Sequence, residues 1–125
     1  MPAIEDCLTA VMAIPGARSV GLVDFASGLV IAAEGRADGE AAEHAAGAAE
    51  LVRAVVASPV FSSAGTGDEI EEITVSGTAG HHLLALVTTE TDTRLCLHLA
   101  LAADRGNIAL ARHRMRDVLR DLAAG

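Results

Sequence analysis

The sequence predicts an α+β domain with a five-stranded, mainly antiparallel sheet flanked by three helices. Three observations carry this expectation. Apolar stripes at helical spacing open and close the chain. Two strand-like stretches each turn back through a short polar connection, and an Ala-rich segment over 38–57 separates them. With 125 residues and 12.7 kDa, the chain is expected to form one domain over 1–125 whose core needs neither disulfide nor metal.

Residues 3–13 place Ile4, Leu8, Val11 and Met12 on one helical face, with Glu5 and Asp6 in the first turn, where the helix dipole favours acids. Pro15-Gly16 ends that helix. Residues 18–25 and 28–34 read as a β-hairpin joined at Ala26-Ser27-Gly28. The Ala-rich segment 38–57, with Glu40, Glu43, Glu50 and Arg53 interspersed, has strong helix propensity and stops before Pro59. After a Gly/Ser loop over 62–67 and the acidic lead-in Asp68, Glu69, Glu71 and Glu72, residues 73–76 form a short strand. A turn at 77–80 precedes a second hairpin, 81–89 and 94–102. The odd positions Leu83, Ala85, Val87, Leu95, Leu97, Leu99 and Leu101 share one of its faces. Leu84, Leu86, Cys96 and Ala100 make the other face apolar too, so helices or a second subunit must cover both. Residues 106–123 carry Ile108, Ala111, Met115, Val118, Leu119 and Leu122 on one face of a last amphipathic helix.

Charge and composition narrow the function. Nine arginines and no lysine stand against 17 acidic residues, which gives a net charge of -8 and little attraction for a phosphate backbone, so nucleic acid is not an expected partner. Without lysine a P-loop mechanism is excluded, and Gly65-Thr66-Gly67 lacks its ending. No apolar run approaches the roughly 20 residues that span a bilayer, and the first sixteen residues lack a basic signal-like start. Two distant cysteines, Cys7 and Cys96, suit a reducing compartment, so the expected location is cytoplasmic.

Few constellations suggest chemistry. Cys7 has Glu5 and Asp6 as neighbours, which raise a thiol pKa, and it reads as a core residue. His81 and His82 point to opposite faces of a strand. If the second hairpin pairs as its turn suggests, Leu84 faces His98, and His82 is a diagonal neighbour of His98 near Cys96. That trio is the best metal-ligating or nucleophilic candidate, set against plain packing; it lacks a carboxylate on that face. We therefore expect no catalytic residue, cofactor or metal, with a His/Cys metal enzyme and a small-ligand sensory module as the alternatives.

Arg112, Arg116 and Arg120 form a basic ridge at i, i+4 and i+8, in a C-terminal region with five arginines against three acids. It reads either as a solvated helix end or as a docking ridge for an acidic partner. The Ala-rich helix offers few large side chains, so another backbone must approach it closely. In a two-fold dimer the middle helices would touch through Ala45, Ala48, Val52 and Val55, while Ile73 and Val75 on the short strand would pair edge to edge.

Two segments carry a family resemblance. Ile14-Pro15-Gly16 leading into the first hairpin, and Gly106-Asn107 followed by Ala111-Arg112 at the start of the last helix, resemble signatures of the Roadblock dynein-light-chain family. The element order matches across nearly the whole chain. The resemblance implies a small α+β module without an active site, dimerising through its middle helix and third strand. It implies a platform or regulator for a Ras-like small GTPase, in bacterial relatives sometimes beside a sensor-kinase-like protein. Arg94 and Arg105 are the arginines expected to be most exposed, and no role in GTP hydrolysis is assigned to them.

Overall fold

The computed structural model describes residues 4–62, 69–89, 91–104 and 107–124. Its elements follow the order α1 (Ile4–Met12), β1 (Ala17–Asp24), β2 (Leu29–Glu34), α2 (Asp38–Ala57), β3 (Glu72–Ser76), β4 (Gly80–Thr88), β5 (Arg94–Ala102) and α3 (Ile108–Ala124). The five strands form one sheet in the order β2-β1-β5-β4-β3, with every neighbouring pair antiparallel. Each expected element is present, with ends shifted by a residue or two. The Gly/Ser loop over 63–67, Asp68, Glu90 and Arg105 lie outside the described residues.

Local chemistry explains the boundaries. Pro15 and Gly16 occupy the centre of a tight turn in which the Ala17 amide donates to the Ile14 carbonyl at 3.0 Å, and Gly16 takes φ +87°. Proline presets the first central position and glycine accepts the left-handed second one. At the first hairpin, the Asp24 carboxylate accepts from the amides of Ala26 and Ser27 at 3.0 and 3.3 Å, and Gly28 closes the turn at φ +82°. Asn107 caps α3: its side-chain oxygen accepts from the Leu110 amide at 3.0 Å, one of the amides a helix start leaves without a partner.

The sheet separates two cores. On one face α1 and α3 cover Val20, Leu22, Leu83, Ala85, Leu97, Leu99 and Leu101, with Leu8, Val11, Ala111 and Met115 packed against them. On the other, α2 covers Val23, Phe25, Leu84 and Cys96 with Ala45, Ala48, Ala49, Val52 and Val56. Leu84 lies opposite His98, as the hairpin pattern predicts. In β2, Val30 packs toward α2 and Ala32 toward α1 because a bulge at Ile31 adds one residue and reverses the alternation.

Among the described residues the cover on the α2 side is incomplete. The helix lies chiefly over β2, β1 and β5. Small residues on its inner face, with Ala45 and Ala49 at 2% and 0% exposure, let it sit close to that part of the sheet. The β4–β3 side of the same face is left with half-buried Ile73 and Leu86 and with Val75, 43% exposed, at an open sheet edge.

Candidate interaction surface

The strip between α2 and the β3 edge is built from two element choices. A helix poor in large residues stays close to the first three strands of the sheet, and among the described residues the short β3 ends the sheet without a neighbour. Between them lies a cavity of about 330 Å³ lined by Glu43, His44, Gly47, Ala48 and Leu51 of α2 and by Val75, His82, Leu84 and His98 of the sheet. Gly47 faces open space there, since a Cβ added to it would meet nothing within 4 Å.

The positions expected at a dimer contact divide between the two sides of this strip. Ala45, Ala48 and Val52 are 2%, 6% and 0% exposed, already covered by the chain's own sheet, so they offer little area to a second copy. Val55 and Ile73 are half-buried and Val75 is exposed. Gly47 and Leu51, which the sequence reading passed over, stand on the open side of α2. Their signal was helical offset: they lie one turn apart, on the flank of the Ala45–Ala49–Val52 face.

Three histidines meet at the cavity. His82 Nδ1 and His98 Nε2 are 2.9 Å apart, sharing one proton in an N–H···N bond. The His44 ring stacks toward that of His98 with centroids 6.4 Å apart. The His82–His98 pairing follows from the hairpin register, whereas His44 comes from α2, three residues after Ala41 and four before Ala48, both buried. That spacing is the signal, unused in the sequence analysis, that would have turned it inward. His81, as expected, points the other way and bonds Ser76 Oγ at 3.0 Å. Burial, then the neighbouring His82, His44 and Arg36, pushes His98 down to about 4, and burial followed by Arg36, His44 and His81 lowers His82.

Of the candidate trio, His82 and His98 meet, and Cys96 packs in the α2-side core. Cys96 is fully buried and its thiol is pushed up to about 12, so it stays protonated. Cys7 packs in the other core, its thiol also raised by burial and by Asp121 and Asp6. Among the described residues, no three His, Cys, Asp or Glu side chains are grouped to hold a metal ion, and no helix is long and apolar enough to cross a membrane.

The arginine ridge lies on the opposite face. Arg112 Nε donates to Glu72 at 2.6 Å, Arg116 lies 4.0 Å from Glu71, and Arg120 pairs with Asp117. These contacts frame a groove of about 390 Å³ floored by Ala85, Val87, Met115 and Leu119. All three arginines are thus matched by the chain's own carboxylates, and the acidic lead-in Glu71 and Glu72 is what matches two of them.

No family model and no curated protein matches the sequence. Solved structures do match in fold. The Roadblock/LC7 domain from Streptomyces avermitilis superposes with a TM-score of 0.78 at 16% identity, covering 97% of this chain and 95% of that one. Myxococcus xanthus MglB gives 0.75 at 16% identity over 98% and 96% of the two chains. An MglB with a tetrameric arrangement gives 0.68 at 19% identity over 96% and 87%. The chain therefore has the Roadblock/LC7 fold over nearly its whole length.

Proposed function

We propose that this protein is a non-enzymatic, homodimeric platform that binds and regulates a Ras-like small GTPase. The observation that carries the reading is the uncovered apolar strip beside α2. Gly47, Leu51, Val55, Ile73 and Val75 lie along a helix flank and an unpaired strand edge, a combination that a symmetric copy satisfies by supplying both a helix and a strand. The likeness of fold to Roadblock/LC7 and MglB structures, one of them in a tetrameric arrangement, supports self-association, and the role beside a GTPase is what the family resemblance of the sequence implies. The buried thiols, both raised in pKa, support reading the cysteines as packing residues in this platform.

A rigid platform regulates a GTPase by binding its two nucleotide states with different affinity. The docking ridge in this reading is Arg112, Arg116 and Arg120, where an acidic partner exchanges with Glu71, Glu72 and Asp117. The test is calorimetric titration of a Ras-like GTPase from the same genome, loaded with GDP or with a GTP analogue. The reading expects binding that differs between the nucleotide states and that weakens at least about tenfold when the three arginines are replaced by Glu, about 1.4 kcal/mol. Equal affinity for both states would refute regulation; binding unchanged by the triple substitution would move the docking site off the ridge.

A further inference from the structure

The cavity beside α2 carries chemistry that the platform reading leaves unused. Two imidazoles are bonded nitrogen to nitrogen at 2.9 Å, a third is stacked toward that of His98 with centroids 6.4 Å apart, and the lining between α2 and β3 is otherwise apolar apart from Glu43. Neutral rings suit this arrangement, because one shared proton satisfies both facing nitrogens. A first added proton can take an outer ring nitrogen and leave this bond intact, so what opposes it is the charge it brings; only protonation of both rings sets two donors against each other.

The charges around the rings make protonation costly. Arg36, before α2, acts on both His82 and His98; α2 supplies His44 and Glu43; β4 supplies His81; and β5 supplies the neutral thiol of Cys96. Glu43, a carboxylate of that lining, is the charge that works the other way, since a negative group favours a protonated ring. While the cavity is open, water screens an added proton. A second copy seated on the strip would remove that water, and a charge left beneath it would lose its hydration.

We propose that self-association through the α2–β3 face requires the His44, His82 and His98 cluster to be uncharged, so that mild acidification separates the copies. This rests on the self-association reading above. Each proton excluded from the associated form raises the dissociation constant about tenfold per pH unit below the free chain's pKa, and a symmetric pair excludes two.

The experiment is sedimentation equilibrium of the full chain at about pH 7.5 and about pH 5.5, for wild type, His82→Leu and His82→Gln. The expected result is a wild-type dissociation constant that rises at least about tenfold on acidification, with either substitution removing most of that rise. In parallel, the His82 imidazole is titrated by NMR in dilute and in concentrated wild-type protein, and its titration moves to lower pH on association. A wild-type monomer at about pH 7.5 would refute the self-association reading itself. A dimer equally tight at both pH values, tighter at the lower one, still fully acid-sensitive in both substituted chains, or with an unmoved His82 titration would overturn the proton control and leave the platform standing.

Discussion

Lowering the pH should destabilise the folded chain itself through His98. The half-buried ring lines the cavity beside α2 with its Nε2 bonded to His82 and with burial, His82, His44 and Arg36 holding it down to about 4. In the unfolded chain it titrates near its usual value of about 6.5. The folded value lies below the unfolded one, so between about pH 6.5 and pH 4 the unfolded chain binds more protons and stability falls with the pH; below that window this contribution is constant. At 1.36 kcal/mol per unit, the full difference is about 3 kcal/mol, about three quarters of it lost by about pH 4.5. Against the roughly 5–15 kcal/mol of a small domain this is a large fraction. The lowered pKa of His82 acts in the same direction. Urea unfolding at one protein concentration should show the midpoint dropping by about 1–2 M between about pH 7.5 and pH 4.5, given slopes of about 1–3 kcal/mol/M. His98→Leu should flatten that dependence whatever it does to stability at neutral pH. A wild-type midpoint constant over this range, or a His98→Leu chain with the wild-type slope, would refute the account of the buried pair.

Two further substitutions test how the fold positions the strip. Ala49→Leu forces a larger side chain between α2 and the sheet where exposure is 0%, and should cost about 1–3 kcal/mol in urea unfolding, while Ala46→Leu on the exposed side should change stability by less than about 0.5 kcal/mol. Gly35→Ala should cost about 2 kcal/mol or more, because Gly35 has φ +89° and an added Cβ would lie 2.4 Å from the Arg18 carbonyl oxygen; a melting temperature unchanged by this substitution would contradict that geometry.

Much of the fold was legible because its signals are local. Alternation in 81–102 placed Leu83, Leu97 and Leu99 on one face and Leu84 and Cys96 on the other, and the structure puts each face in its own core. Pro15-Gly16 announced the end of α1 through backbone chemistry that two residues decide, whereas Asn107 entered only with the family resemblance and its capping role emerged in the structure. Less legible were features set by the lateral placement of elements. Composition showed that α2 must approach a backbone closely, yet could not say whose, and the sheet claims Ala45, Ala48 and Val52. The bulge at Ile31 carries no distinctive residue, so the opposite burial of Val30 and Ala32 was hidden. The histidine cluster was half visible: a hairpin register brings His82 to His98, whereas His44 joins only through packing between helix and sheet. The arginine ridge was plain as a helical repeat, but its pairing with Glu71 and Glu72 spans about forty residues of sequence and a shared groove.

The central claim is that the open flank of α2 and the β3 edge form a self-association surface. Light scattering on wild type beside Gly47→Lys tests it most directly. Gly47 faces open space within the chain, and lysine is a better helix former than glycine, flanked here by Glu43 and Glu50, so the substituted chain should fold at least as stably. The account predicts a wild-type mass of about twice 12.7 kDa that falls to that of one chain on substitution, with an unchanged circular dichroism spectrum. A wild-type monomer, or a dimer indifferent to a charged side chain at position 47, would contradict it.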